Sequence, residues 1–421
     1  MSSSVHMRGV VAAALSGAVV AAGLVSAHAA SGAMPERVQP RVGPAGTTYA
    51  VIKTIPVGRG PNGVAVNLAD DTVYVANTES DNTSVIDAFS GSRTDDTISS
   101  GNGSDSVAVN QADDTVYVTA PADDSLAVIS GLTRAVTFVG VPGYARFVAV
   151  NQADDTVYVS RPGVGNNATG TQVSAIDGRL PGVSVNITAG QGVRGIGVNQ
   201  RDDTVYVANN IDGTVSVIRG SDNLVLATVT VGARPMGVAV HQVDDTVYVA
   251  NSTGNSISVL NGRTGAIAST VELGAGVAPY GVAVDDTRST IYVSNQGSET
   301  VSIINGLATD DSVQVAVGRD PAQLALDRRG LLYVANYNNG AAGTVSVIAS
   351  TSVALAPTSG IAGISGTLTL TVAGLPAGYQ MDDSTITSLT FGTHNPPVSA
   401  GPGNTWTFTV PAGTPGATVP L

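Results

Sequence analysis

The chain has 421 residues, a formal net charge of −13 and no cysteine. Without cysteine there are no disulfides, thioether-attached haem or thiolate metal sites, and the acidic balance argues against general binding to nucleic acid or anionic membranes. With 50 glycines, 20 prolines and only 12% charged residues, a body rich in Val and Thr favours short strands and many turns over helices.

Residues 1–29 have the layout of an export signal: Arg8, an apolar stretch from Gly9 to about Val25, and the small-x-small site Ala27-His28-Ala29. Cleavage there makes Ala30 the first mature residue. Residues 30–47, with Pro35, Pro40, Pro44 and several glycines, are expected to form a flexible leader. No later apolar run is long enough to span a bilayer as a helix, so no membrane span is expected once the signal is removed.

From about residue 48 to 350 an internal repeat dominates. Asp70-Asp71-Thr72-Val73-Tyr74-Val75-Ala76-Asn77 recurs with small changes, and the equivalent tyrosines are Tyr74, Tyr117, Tyr158, Tyr206, Tyr248, Tyr292 and Tyr333. Their spacings of 43, 41, 48, 42, 44 and 41 residues, with apolar residues alternating rather than recurring at three and four, predict four short antiparallel strands per repeat. That is the pattern of a propeller blade, and seven copies predict an all-β, seven-bladed β-propeller of four-stranded blades. The middle of the first strand is small in every copy (Ala65, Ala108, Ala149, Gly197, Ala239, Ala283 and Ala325), as crowding near a common axis requires. A fourth strand follows only the first six copies. The missing one is supplied by residues 51–58, so the N-terminal strand is expected to close the ring and remove an open sheet edge.

Blade three departs from the pattern with a longer loop from Arg161 to Gly170, which holds Asn166 and Asn167. Five blades end the second strand on asparagine (Asn77, Asn209, Asn251, Asn295 and Asn336), whereas blades two and three carry Ala120 and Arg161. Bonding of Asn to its own backbone in a turn accounts for these better than a ligand role. After about Ser350 the repeat stops. Short Thr-rich strands and the single tryptophan, Trp406, predict a second small β domain over 351–421.

The Tyr-Val-Ala-Asn and Tyr-Val-Ser-Asn elements, preceded by Gly-Val-Ala-Val and followed by Val-Ser-Val-Ile, resemble the YVTN-repeat (YncE-like) propellers over about residues 48–350. That family includes surface-layer and cell-envelope proteins, and related propellers include lactonases and a streptogramin lyase. The tail resembles an IPT/TIG immunoglobulin-like domain through Pro357-Thr358-Ser359-Gly360, Leu389-Thr390-Phe391-Gly392 and Val410-Pro411-Ala412-Gly413. The final strand stops short at Leu421 and a Gly-Gly after the opening is absent, so the sandwich departs from the full pattern. The resemblance implies a spacer or interaction module there.

No catalytic constellation stands out. His241 is the propeller's one histidine, and it occupies a repeat position held elsewhere by Asn67, Asn110, Asn151, Asn199, Asp285 and Asp327, which points first to structure. Glu79, Glu272 and Glu299 are scattered, and nucleophile-elbow, Walker and His-Glu-x-x-His motifs are absent. The paired aspartates (Asp70-Asp71, Asp113-Asp114, Asp154-Asp155, Asp202-Asp203 and Asp244-Asp245) fall in turns of separate blades and do not supply the six to eight converging oxygens that calcium takes. No metal or cofactor is expected.

The candidate ligand site is the axial mouth made by the loops from strand four to strand one. Five blades place an arginine there (Arg59, Arg146, Arg194, Arg234 and Arg319), and blade six places Tyr280. Their registers within the loop differ. Guanidinium groups suit carboxylate or phosphate, so an anionic small molecule, an acidic polymer or another envelope component is the expected partner. The expectation is a secreted or cell-envelope binding scaffold. The alternative is a lactonase- or lyase-like enzyme with an axial active site.

Overall fold

The computed structural model describes residues 41–42, 48–165, 168–306, 308–338, 340–356, 366–373, 398–401 and 405–410. Within it the seven repeats form seven four-stranded antiparallel blades. The first blade runs Pro61–Asn67, Thr72–Asn77, Asn82–Asp87 and Ser92–Ile98. The next five follow the same order and end on Ala308–Ala316. The seventh takes Pro321–Leu326, Leu332–Asn336 and Thr344–Ala356 from one end of the propeller and Thr48–Pro56 from the other. Ala50 pairs with Ala349, and Ile55 with Val345. The closing strand was expected at 51–58, and its ladder begins three residues earlier.

The core lies in the seams between blades, because both faces of each sheet are covered. Side chains alternate along the second strand. Tyr74 packs with Val107, Val109 and Val116 of the next blade, whereas Val73 and Val75 pack with Tyr333, Val345 and Val347 of the seventh. None of the seven repeat tyrosines is more than 5% exposed. Ile52 and Ile55 of the closing strand are buried in the seam between blades seven and one.

The five strand-two asparagines are fully buried and do a different job from the one expected. They do not bond their own turn. Each donates Nδ2 to polar side chains on the third strand of its own blade: Asn209 to the hydroxyls of Thr214 and Ser216, at 3.0 and 2.9 Å, and Asn77 to Asn82 and Ser84. A glycine lies against most of them. An added Cβ at Gly58, Gly190, Gly232 or Gly318 would come within 2.6 Å of such an asparagine, so small residue and amide are fitted together. Ala120 is buried at the same place in blade two, and Arg161 in blade three donates to the Pro142 carbonyl and to Asn186. Asn166 and Asn167 lie outside the described residues.

The strand Thr344–Ala356 runs on past the propeller. Its last residues pair with Gly366–Ala373, which pairs with Thr405–Val410, which in turn pairs with Val398–Gly401. Trp406 stands in this second sheet opposite Leu370 and Ala400. The other motifs of the tail and the export signal lie outside the described residues. Arg41–Val42, within the stretch expected to be a flexible leader, pair with Tyr49 and Thr48. No helix among the described residues is long and apolar enough to cross a membrane.

Candidate functional site

The two ends of the propeller differ in chemistry. One is formed by the turns between strands one and two together with those between strands three and four. The Gly131 and Gly178 amides there donate to the carbonyls of Asp114 and Asp155. The paired aspartates divide their work. The first caps the turn, as Asp113 Oδ1 accepts from the Thr115 amide at 3.1 Å. The second adopts left-handed backbone, with φ of 55–66° from Asp71 to Asp245, and in blades two to five it accepts from the preceding blade. Asn110 Nδ2 donates to Asp155 Oδ1 at 2.7 Å, Asn151 to Asp203 at 2.7 Å and Asn199 to Asp245 at 3.1 Å, and Asn67 donates likewise to Asp114. The turn reading therefore gains a second part, a clasp between blades.

His241 belongs to this end. It is 3% exposed with Nδ1 2.9 Å from Asp244 Oδ1. It replaces the donor asparagine where the next blade has Ser289 in place of the acceptor aspartate, so both halves of the clasp change together. Asp285 and Asp327, in the same ring, turn instead to Arg288 and Arg329 of their own turns, at 2.6 and 2.7 Å.

The opposite end is the axial mouth. Its loops join strand four to strand one and rest on those joining strands two and three, as the Thr78 and Glu79 amides donate to the Gly60 and Arg59 carbonyls. The candidate arginines separate into three registers. Arg59 and Arg319 stand in the outer part of the loop: Arg59 donates to the Glu79 carbonyl at 3.2 Å, and Arg319, 70% exposed, lies 3.6 Å from Glu299. Arg234 follows one residue further in, donating to Asn210 Oδ1 at 3.1 Å. Arg146, Arg194 and Tyr280 share the innermost register, three residues before the small residue at the centre of each first strand, and these three come together.

Arg146 Nε donates to Asp105 Oδ2 at 3.0 Å, and Asn62 donates to the other oxygen of that carboxylate. Burial disfavours the Arg146 cation, but Asp105 outweighs it and holds the guanidinium above its usual range. Arg194 is 2% exposed. Burial, together with the charges of Arg146 and Arg234, lowers its pKa to about 10. Burial also raises the Tyr280 phenol, against the pull of Arg146. Phe147 lies across the axis from Tyr280, with ring centroids 6.4 Å apart, and Ala322 and Met236 complete an apolar plug. Beside it Gln323 Nε2 of blade seven donates to Ser106 Oγ of blade two at 3.1 Å. The mouth is thus a polar cup over a filled axis, with one cation neutralised by Asp105.

Sequence reasoning missed Asn62, Asp105 as a partner of Arg146, Phe147 and Met236. The signal was available: at the register of Arg146 the other blades have Asn62, Asp105, Arg194, Met236, Tyr280 and Ala322, with arginine the one residue used twice, while later positions of the same strand, such as Val66, Val109 and Val150, scarcely vary.

No family model and no curated protein matches the chain. Solved structures do. A streptogramin B lyase superposes with a TM-score of 0.59 at 13% identity, covering 71% of this chain and 97% of that one. Virginiamycin B lyase from Staphylococcus aureus gives 0.58 at 12% identity, covering 70% and 98%. Hydrazine synthase of Kuenenia stuttgartiensis gives 0.59 at 17% identity, covering 68% and 95%. At these identities the likeness is one of fold, and the chain is a seven-bladed β-propeller.

Proposed function

We propose that this protein is an exported, non-enzymatic binding module of the YVTN-repeat type that takes an anionic ligand at the axial mouth. The C-terminal sheet then serves as an IPT/TIG-like, immunoglobulin-like spacer or interaction module. The observation that carries the reading is the gathering of Arg146, Arg194 and Arg234 from three successive blades, with one carboxylate, Asp105, among them. A buried guanidinium beside two others is stabilised by an added anion. Asp105 is a poor candidate for a general base, because Asn62 and Arg146 occupy its two oxygens. The lyases that share the fold keep a lyase- or lactonase-like activity as the alternative, and it would use the same mouth.

The test is calorimetric titration of the full chain at low salt with carboxylates, phosphate and acidic oligosaccharides. Arg234→Glu, which changes a half-buried loop residue, should weaken anion binding at least tenfold while circular dichroism stays unchanged. An absence of anion binding by the wild type at low salt overturns the reading. Export is tested separately, by fractionation and N-terminal sequencing, with Ala30 expected as the first residue.

A further inference from the structure

Five residues before the small residue at the centre of each first strand, all seven blades adopt left-handed backbone, with φ between 48° and 71°. Glycine adopts it freely, whereas a bulky side chain there is strained. Three blades use glycine (Gly60, Gly103 and Gly192), and Ala278 and Asp320 are short. Blades three and five instead place Tyr144, at φ 65°, and Arg234, at φ 56°.

Both are held in place. Asp124 Oδ1 accepts from the amides of Gly143 and Tyr144 at 3.1 and 2.7 Å. Arg234 is tied to Asn210, whose own amide donates to the Pro235 carbonyl at 3.0 Å. Strained residues fixed by their surroundings concentrate at functional sites.

Aromatic residues gather at the same place. Of the 12 tyrosines, seven hold the repeat position. Of the other five, Tyr280 has its ring centroid 6.4 Å from that of Phe147, Tyr144 lies two residues before Arg146 in the same loop, and the Tyr337 amide donates to the carbonyl of Asp320, the left-handed residue of blade seven, at 3.1 Å. A simple anion trap has no use for tyrosine rings and excludes a carboxylate. A sugar uses both: its C–H face lies against aromatic rings, and its hydroxyls donate and accept. Because Asp105 is engaged by Arg146, the carboxylate of a ligand falls to Arg234, which donates to the neutral Asn210 side chain.

Resting on the anion-binding reading, we propose that the mouth recognises an acidic saccharide, a hexuronic-acid unit of an oligomer or polymer. Tyr144 and Tyr337 pack against the ring and Arg234 takes the carboxylate.

The experiment titrates the full chain with oligogalacturonate, its methyl ester and inorganic phosphate. Oligogalacturonate should bind saturably, the ester at least tenfold more weakly, and phosphate should not displace it at equal concentration. Tyr144→Gly should weaken oligogalacturonate binding at least tenfold with a melting temperature equal to or above wild type, since glycine relieves the backbone. Tyr144→Phe should keep the affinity, and Tyr337→Ala provides the second variant should Tyr144→Gly fail to fold. Affinity that follows charge alone, or that survives both tyrosine truncations, overturns the saccharide assignment while leaving the anion site standing. No binding of any of the three removes both.

Discussion

Asn110 of blade two donates its side-chain amide to the Asp155 carboxylate of blade three at 2.7 Å, and both residues are buried. The bond joins two sheets that share no backbone ladder. Asn110→Ala leaves a buried carboxylate short of a donor, so a loss of about 1–3 kcal/mol is expected in urea denaturation. Asp155→Ala should cost a similar amount. In the double variant the two losses should fall well short of adding, which a double-mutant cycle measures. Full additivity would show that the contact contributes nothing.

Glycine at the mouth is set by neighbouring backbone. An added Cβ at Gly237 would lie 2.5 Å from the Tyr280 carbonyl oxygen, and one at Gly195 would lie 2.4 Å from that of Met236. Gly237→Ala should destabilise by about 1–3 kcal/mol through overpacking. Gly140, in an outer strand with nothing within 4 Å of its Cβ position, is the control. Gly140→Ala should be neutral or slightly stabilising in the same melt.

The closing strand buries Val51, Ile52, Ile55 and Val57. At roughly 1.5–3 kcal/mol for each side chain, the set rivals the whole stability of an ordinary domain, about 5–15 kcal/mol. Deleting 48–58 should abolish cooperative unfolding or cause aggregation. Ile55→Ala alone should cost about 2–5 kcal/mol. An unchanged melt of the deletion variant would refute closure by this strand.

Acid should act on Asp285. Burial opposes its ionised form, but hydrogen bonds from Thr287 and Arg288 outweigh that and hold its carboxyl below the ordinary 3.8. A lowered folded pKa means that the unfolded state takes up the proton first. The stabilisation is therefore present above 3.8 and is lost as pH falls through the lower folded value. Asp285→Asn should be less stable than wild type at neutral pH, and the gap should narrow below about pH 4. Urea titrations across that range check it. A gap independent of pH would show that the carboxylate charge plays no part.

The architecture was legible because it is written seven times. The tyrosine spacing, the small residue at the centre of each first strand and the missing fourth strand follow from sheet periodicity and ring closure, and each copy corroborates the others. The mouth was legible only in outline, because it is built from what the repeat does not repeat. Arg59, Arg146 and Arg234 look alike in sequence, and only loop register separates an exposed arginine beside Glu79 from one locked to Asp105. The left-handed position was hidden for the same reason. Tyr144 and Gly60 share no chemistry, and their equivalence is one of backbone dihedral.

The third strand of blade seven, Thr344–Ala356, is the one that runs on into the C-terminal sheet, and it is hydrogen-bonded on both sides, to Thr48–Pro56 and to Leu332–Asn336. A pull on that sheet is delivered along the strand axis. Both ladders would then be loaded in shear, so their bonds must fail together rather than unzip one at a time. The place where the ring is sewn shut is thereby also the place where a load on the tail would fall.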